Sequence, residues 1–242
     1  MVLTYRLTQW FWVFLDWLFP PICGGCRRSG FRWCPDCQQQ VKPVPEPVCQ
    51  VCGLPLSRPG LCAACIDSHP PYEAKRSWVV FEGPIRLALH SLKYHRNLAL
   101  GDVLARHLAE YVRSLGWRAD LVVPVLLGRQ RMKERGYNQA ALLALPLSIS
   151  QAWHYSARAV FRVRETRSQV GLSATERREN LFEAFRADPV RVSGKVILLV
   201  DDIATTGATM AACSDALVKA GAKAVYALTL ARALPHHGLQ IV

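Results

Sequence analysis

Two adjacent carboxylates, Asp201 and Asp202, directly follow an apolar run at residues 196–200. The run has the composition of a buried strand, and open α/β sheets bind their ligands at the carboxyl ends of such strands. Carboxylate oxygens accept hydrogen bonds, and the hydroxyls of a sugar can donate them. The pair therefore predicts a sugar-binding site at this end of the sheet.

A turn rich in hydroxyls and glycine follows the two acids and leads into a predicted helix. Backbone N–H groups at the start of a helix bind anions, and the helix dipole adds to the attraction. The residues predicted to form this phosphate loop are Thr205, Thr206, Gly207, Ala208 and Thr209. Acids and loop together predict a ribose phosphate, with the loop on its 5-phosphate.

Eight of the nine cysteines form four CxxC pairs, and Cys213 stands outside them. The paired residues are Cys23, Cys26, Cys34, Cys37, Cys49, Cys52, Cys62 and Cys65. Two facing CxxC pairs supply the four thiolates of a tetrahedral Zn²⁺ site, so the spacing predicts two structural zinc ions. Pairing in sequence order is the simplest assignment, although a crossed arrangement also fits. Iron–sulfur clusters and redox-active thiols are the alternatives.

Cations flank the predicted site. Arg131, Lys133 and Arg135 follow an apolar run that ends at Val125, and further arginines lie between residues 158 and 178. One interpretation is a solvated basic rim that pairs with nearby glutamates. The other is a groove for a single DNA strand, in which aromatic side chains stack on bases. The aromatic candidates for such stacking are Tyr94, Trp117, Tyr137 and Trp153.

The totals fit one α/β domain with a smaller module. The chain has 242 residues, of which 51% are hydrophobic, and its 30 lysines and arginines against 18 acids give a net charge of +12. That surplus favours polyanionic partners, namely phosphorylated ligands, nucleic acid or anionic membrane. The cysteine pairs indicate a reducing compartment, which favours the cytoplasm.

An aromatic segment at residues 1–21 is predicted to form a helix. Its apolar stripe consists of Leu3, Leu7, Trp10, Phe14 and Trp17. The uninterrupted apolar run at residues 10–15 is too short to span a membrane, which needs about 20 residues. Packing against the rest of the protein is favoured over association with a membrane surface, and both remain open.

Predicted elements alternate after a region rich in cysteine and proline at residues 22–71. Helices are predicted from Pro84, over 100–115, over 138–152 with a kink or early end at Pro146, and over 209–220. Strands are predicted at 120–125, 159–163, 196–200 and 224–230. This alternation predicts a parallel sheet flanked by helices over residues 78–242, beside a small zinc-ribbon module at 22–71.

The segment around Asp201 resembles the signature of type I phosphoribosyltransferases, in which apolar residues, two acids and a Thr-Gly loop follow one another. Together with the cysteine pairs, further motifs resemble the ComF/GntX family of competence-associated proteins. These motifs are residues 91–94, 131–139 and 166–172, followed by Arg177 and Asn180. The resemblance covers nearly the whole chain.

The resemblance implies a set of roles. Asp201 and Asp202 would contact the ribose hydroxyls of phosphoribosyl pyrophosphate, with Mg²⁺ accompanying that ligand. Residues 125–129, which include Gly128 and Arg129, would form the pyrophosphate loop. Residues 164–172 would form a mobile loop that contains Arg164, Thr166 and Gln169. The family's association with DNA uptake implies single-stranded DNA and a DNA-import helicase as partners.

Two functions fit these observations. One is a protein that binds a phosphoribosyl ligand and handles single-stranded DNA during DNA import or use. The other is an active Mg²⁺-dependent phosphoribosyltransferase with an unknown acceptor. Enzymes of this class that act on hypoxanthine-type bases carry an acid where Thr205 stands, so its absence and the surplus of cations favour the first. The intact pair of acids favours the second.

Overall fold

The structure is a computed structural model that describes residues 20–95, 97–163 and 184–234. The predicted roles of Arg164, Thr166 and Gln169 lie outside these ranges, as does nearly all of the aromatic N-terminal segment. Within the described ranges, none of the helices combines the length and the apolar character that crossing a bilayer requires.

Five parallel strands form the central sheet, as the alternating pattern predicted. They are β1 (Ala74–Val80), β2 (Leu121–Pro124), β3 (His154–Tyr155), β6 (Val196–Ala204) and β7 (Ala224–Arg232). Their spatial order is β1-β7-β6-β2-β3, which places β6 at the centre. A separate antiparallel hairpin pairs β4 (Val160–Arg162) with β5 (Phe185–Ala187).

The helices of the described ranges belong either to the cysteine-rich region or to the α/β domain. They are α1 (Pro35–Gln39), α2 (Ala63–Asp67), α3 (Gly83–Tyr94), α4 (Leu98–Ser114), α5 (Arg129–Arg135), α6 (Gln139–Ser150), α7 (Pro189–Val192) and α8 (Ala208–Lys219). Helices α1 and α2 each follow the first cysteine of a CxxC pair, so they belong to the two cysteine clusters.

The core is divided between the two faces of the sheet. Leu198 and Val200 of β6 pack in a first cluster with α3, α4 and α6, whereas Ile197 and Leu199 pack in a second cluster with α8. Successive side chains of a strand point to opposite faces, which explains this division. Cys23, Cys34 and Cys37 join the first cluster, and Cys49, Cys62 and Cys65 join the second. The two cysteine clusters therefore cover opposite faces of the sheet.

Strand β1 was not predicted, because polar residues occupy its buried positions. Lys75 is 1% exposed and Ser77 is 4% exposed, and the Ser77 hydroxyl lies 2.6 Å from that of Thr229 on β7. A pattern of Lys, Ser and Val at alternate positions does not indicate a buried face. Helix α5 was likewise not predicted, since it buries none of its residues.

Helix α6 runs from Gln139 through Pro146 to Ser150, so it does not end early at this proline; a kink there stays a prediction. Proline in a helix interior removes one backbone hydrogen bond and costs about 3 kcal/mol. Packing offsets that cost here, since α6 lies against α4, β2 and β6 and buries Leu143, Leu147 and Pro146 itself.

Candidate functional site

Strand β6 ends at Ala204, so the two acids lie within its last residues rather than after them. An Oδ2 atom of Asp202 lies 2.6 Å from the Nζ atom of Lys93 on α3, and the Asp202 side chain is 13% exposed. Asp201 Oδ1 accepts a hydrogen bond from the backbone N–H of Asp202, at 2.8 Å. Burial, together with the neighbouring Asp202, raises the pKa of Asp201 above the ordinary carboxyl range.

The predicted phosphate loop is a turn that leads into α8. Gly207 is the N-cap of this helix and has a φ of 81°, which glycine adopts without steric cost. The Thr206 hydroxyl accepts a hydrogen bond from the backbone N–H of Ala208, at 3.4 Å. This geometry places the first N–H groups of a 12-residue helix directly after the two acids, as an anion-binding loop requires.

A second loop, at residues 125–128, follows β2. Gly128 is the N-cap of α5, and Asn138 fixes the loop from the start of α6. The Asn138 side chain donates from Nδ2 to the carbonyl of Val125, at 2.9 Å, and accepts from the backbone N–H of Ala140, at 3.1 Å. One side chain thus caps a helix and holds the neighbouring loop, which explains why asparagine stands there.

A cavity of about 1160 Å³ opens between β6, the loop at 125–128, α3 and the first cysteine cluster. It brings together predicted residues from segments far apart in the chain. Those among its lining residues are Gly128, Arg131, Arg135, Asp201, Asp202, Thr205 and Thr209. Five predicted residues do not line it. Arg129 and Lys133 lie on another side of α5, and the turn itself consists of Thr206, Gly207 and Ala208.

Sequence reasoning did not place Arg27 and Arg86 in the opposite wall of the cavity. Arg27 comes from the first cysteine cluster, and Arg86, His90 and Lys93 come from α3. Residues 91–94 were recognised as a motif, which was the signal available for α3, whereas nothing in the sequence places Arg27 near Asp202. The cavity is consequently acidic at the strand end and basic around it.

Of the four aromatic candidates for base stacking, Tyr94 lines the cavity, with the Arg135 guanidinium 5.2 Å from its ring centroid. Trp117 packs on Tyr226, with ring centroids 4.8 Å apart, at the start of β7 and away from the ligand end of the sheet. Trp153 packs against the first core cluster. The Tyr137 hydroxyl donates to the carbonyl of Leu92, at 2.7 Å, which ties α3 to the start of α6.

The paired cysteines form two four-thiol clusters in sequence order, which decides against the crossed arrangement. One cluster is Cys23, Cys26, Cys34 and Cys37, and the other is Cys49, Cys52, Cys62 and Cys65. All are free thiols, and sulfur–sulfur distances of 3.5, 3.6 and 3.7 Å occur within them. Tetrahedral Zn²⁺ with bonds of about 2.3 Å requires sulfurs about 3.8 Å apart, so both clusters fit zinc.

Backbone N–H groups favour the thiolate form of one cysteine in each cluster, which is the form that binds zinc. The Cys34 N–H donates to the sulfur of Cys23, and the Cys62 N–H donates to that of Cys49, both at 3.4 Å. Burial tends to raise the pKa of Cys23 and Cys49, but the several backbone N–H groups around each sulfur, together with a neighbouring thiol, outweigh it and lower each pKa to about 6. Zinc binds the thiolate, so the donors favour the binding form.

The comparison with known families agrees with this geometry. Residues 90–236 match the phosphoribosyl transferase domain family, and residues 14–66 match the double zinc ribbon domain family. A parallel sheet with paired acids and an anion-binding loop at one strand end thus defines a phosphoribosyltransferase-type domain, joined here to two zinc ribbons. We call the cluster at Cys23–Cys37 the first ribbon and that at Cys49–Cys65 the second ribbon.

Similarity to individual proteins shows to which family the chain belongs. The chain is 35% identical to DNA utilization protein YhgH of Salmonella typhimurium, over 89% of this chain and 98% of that protein. It is 32% identical to competence protein F of Haemophilus influenzae, over 83% of this chain and 90% of the relative. Competence protein ComFC of Bacillus subtilis is 25% identical, over 82% and 83%. The chain belongs to the ComF family.

Proposed function

We propose that this protein binds a phosphoribosyl ligand at the carboxyl end of β6 and a single DNA strand along the basic wall of the same cavity, and so acts in DNA utilisation. The observation that carries the proposal is the composition of that one cavity. Asp201, Asp202, Thr205 and Thr209 supply the ribose phosphate half, while Arg27, Arg86, Arg131 and Arg135 supply cations on the other side.

The size of the cavity supports two occupants. Sites for single small ligands measure about 300–1000 Å³, and this open cavity, at about 1160 Å³, lies slightly above that range and so has room for a second group beside a small ligand. Guanidinium groups bind phosphates, and an arginine over Tyr94 gives a base a surface on which to stack. The names of the relatives, which refer to DNA utilisation and competence, support the same assignment.

An active phosphoribosyltransferase is the second candidate, and the Lys93–Asp202 ion pair is the observation that favours it. A ribose hydroxyl can replace the ammonium as the partner of Asp202, and the ammonium would then be released toward the pyrophosphate. Mg²⁺ would bind with phosphoribosyl pyrophosphate and offset its charge. The side chains themselves would orient the ribose and shield it from water.

Isothermal titration calorimetry of the zinc-loaded protein tests the proposal. Phosphoribosyl pyrophosphate with Mg²⁺, a single-stranded oligonucleotide, and both together are titrated separately. We expect each to bind alone and each to change the affinity for the other, because they share a cavity. Binding of neither ligand would reject the proposal. Release of pyrophosphate when both are present would move the function to phosphoribosyl transfer.

A further inference from the structure

A buried lysine stands behind the phosphate loop, on the side away from the cavity. Lys75 of β1 is 1% exposed, and its Nζ atom lies 2.5 Å from the position that a Cβ atom on Gly207 would occupy. Gly207 is the N-cap of α8, so the ammonium lies against the backbone at the start of that helix. The site described above makes no use of this lysine.

This placement is electrostatically unfavourable without an anion. The start of a helix carries a positive partial charge, and a buried ammonium beside it adds to that charge. Arg232, which is 5% exposed, adds a second buried cation, and its Nη1 donates to the carbonyl of Cys52 at 2.8 Å. Among residues 20–95, 97–163 and 184–234, no carboxylate forms an ion pair with either of them.

The second ribbon supplies part of the missing negative charge and holds the lysine in place. Four thiolates with one Zn²⁺ would carry a net charge of −2, which offsets only part of the positive charge of Lys75, Arg232 and the start of α8. The backbone N–H of Lys75 donates to the carbonyl of Val51 at 2.6 Å, and a Cβ atom on Gly53 would collide with the carbonyl of Lys75. The positive end of α8 then remains for the phosphate of a ligand.

We propose that Lys75 is a positioning residue for the 5-phosphate: from behind the loop, its ammonium adds positive potential to the loop, and the second ribbon keeps it there. This inference rests on the proposed function, because it takes the loop at residues 205–209 as the site of the 5-phosphate. It assigns the second ribbon a role in ligand binding, since the ribbon is the wall against which Lys75 is buried.

The variant Lys75→Met tests the proposal, because methionine has a similar length but no charge. Lys223→Met is the matched control, since Lys223 is exposed and precedes β7 at the opposite end of the sheet. Calorimetry of both variants uses ribose 5-phosphate and, separately, pyrophosphate, which the loop at 125–128 would bind. The ammonium acts through its electrostatic potential rather than by contact, so we expect ribose 5-phosphate to bind Lys75→Met about tenfold more weakly, which corresponds to about 1.4 kcal/mol.

The affinities of Lys75→Met for the two ligands distinguish the possible outcomes. The proposal requires that Lys75→Met loses affinity for ribose 5-phosphate, retains affinity for pyrophosphate, keeps two zinc ions, and melts no lower than the wild type. A loss of stability with unchanged ribose 5-phosphate affinity would make Lys75 a structural residue and overturn the proposal. If the wild type itself binds no ribose 5-phosphate, the proposed function fails before Lys75 is tested.

Discussion

The two ribbons have the same ligands and nearly the same spacing, yet they serve different surroundings. The first ribbon packs on the face of the sheet that carries α3 and α4, and its residues Gly25, Cys26 and Arg27 reach the cavity. The second ribbon packs on the opposite face with α8, behind the phosphate loop. The first ribbon therefore borders the proposed ligand site directly, whereas the second would act on it through Lys75 and the loop.

This difference shows what a metal motif specifies. Four thiolates fix the local fold of a ribbon, because they replace the hydrophobic core that such a short segment cannot build. The residues around the knuckles decide where the ribbon packs. A Cβ atom on Gly25 would lie 3.0 Å from the Cβ atom of Pro84 on α3, while the carbonyl of Lys75 would meet one on Gly53. Tight approach at these two glycines joins each ribbon to a different part of the domain.

Loss of zinc is the largest effect that we expect. Cys37→Ser removes a ligand of the first ribbon, and Cys65→Ser removes one of the second. Structural zinc contributes about 10–16 kcal/mol in isolated finger peptides, so each variant should lose one of two zinc ions and the order of one ribbon. Elemental analysis measures the stoichiometry, and circular dichroism should show that the α/β domain remains folded. A wild type without zinc, or with iron–sulfur absorbance, would contradict this.

The same two variants sharpen the comparison between the ribbons. If the assignments above are right, Cys65→Ser exposes Lys75 to water and should weaken ribose 5-phosphate binding most. Cys37→Ser disturbs the cavity wall and should weaken oligonucleotide binding most. Equal losses of affinity for both ligands in both variants would show that the two ribbons do not have separate roles in binding.

Removal of the acids should weaken the binding of phosphoribosyl pyrophosphate without weakening that of the oligonucleotide. Asp201→Asn with Asp202→Asn takes away the acceptors for the ribose hydroxyls, so phosphoribosyl pyrophosphate should bind about a hundredfold more weakly or not at all. The pair lies at a strand end beside the cavity, so the core should stay closed. Unchanged affinity with a normal circular dichroism spectrum would refute the assignment. Oligonucleotide affinity should not fall, because negative charge is lost from the cavity.

Removal of cations from α5 should have a smaller effect, which appears in the salt dependence of oligonucleotide binding. Each phosphate contact of a single strand contributes about −0.7 to the slope of log affinity against log salt. Arg131→Ala with Arg135→Ala removes two cavity cations, so the slope should flatten by about 1.4. Lys133→Ala is the control, because Lys133 lies on the same helix without lining the cavity. An unaltered slope in the double variant would mean that these cations of α5 contact pyrophosphate or solvent rather than DNA.

Local chemistry was predictable from the sequence, and long-range placement was not. The CxxC pairs, the acids and the turn at residues 205–209 each involve residues a few positions apart, so spacing alone predicted that they lie together. The burial of Lys75 depends on β7, α8 and the second ribbon, which are distant in the chain. A lone lysine in a strand is ordinarily exposed, so nothing in the sequence marked it. The face on which each ribbon packs also follows from the topology rather than from a motif.

The smallest effect that we expect concerns two neighbouring arginines of the first ribbon, only one of which lines the cavity. Arg27 lines it and has a φ of 62°, a conformation that costs a non-glycine residue about 1–2 kcal/mol. Arg28 instead forms a surface ion pair with Asp36, at 2.6 Å, and surface pairs contribute about 0–1 kcal/mol. Alanine at either position keeps the knuckle, since the Arg27 N–H to Cys23 carbonyl bond belongs to the backbone.

These two variants therefore compare equal losses of charge one residue apart. Arg27→Ala should flatten the salt slope of oligonucleotide binding by about 0.7, and Arg28→Ala should leave it unchanged. Zinc content should stay at two in both, because neither residue is a ligand. Fluorescence anisotropy of a labelled oligonucleotide across a salt series measures both slopes. If both variants shift the slope equally, the ribbon attracts DNA through its general charge, and the cavity wall has no specific part in binding the strand.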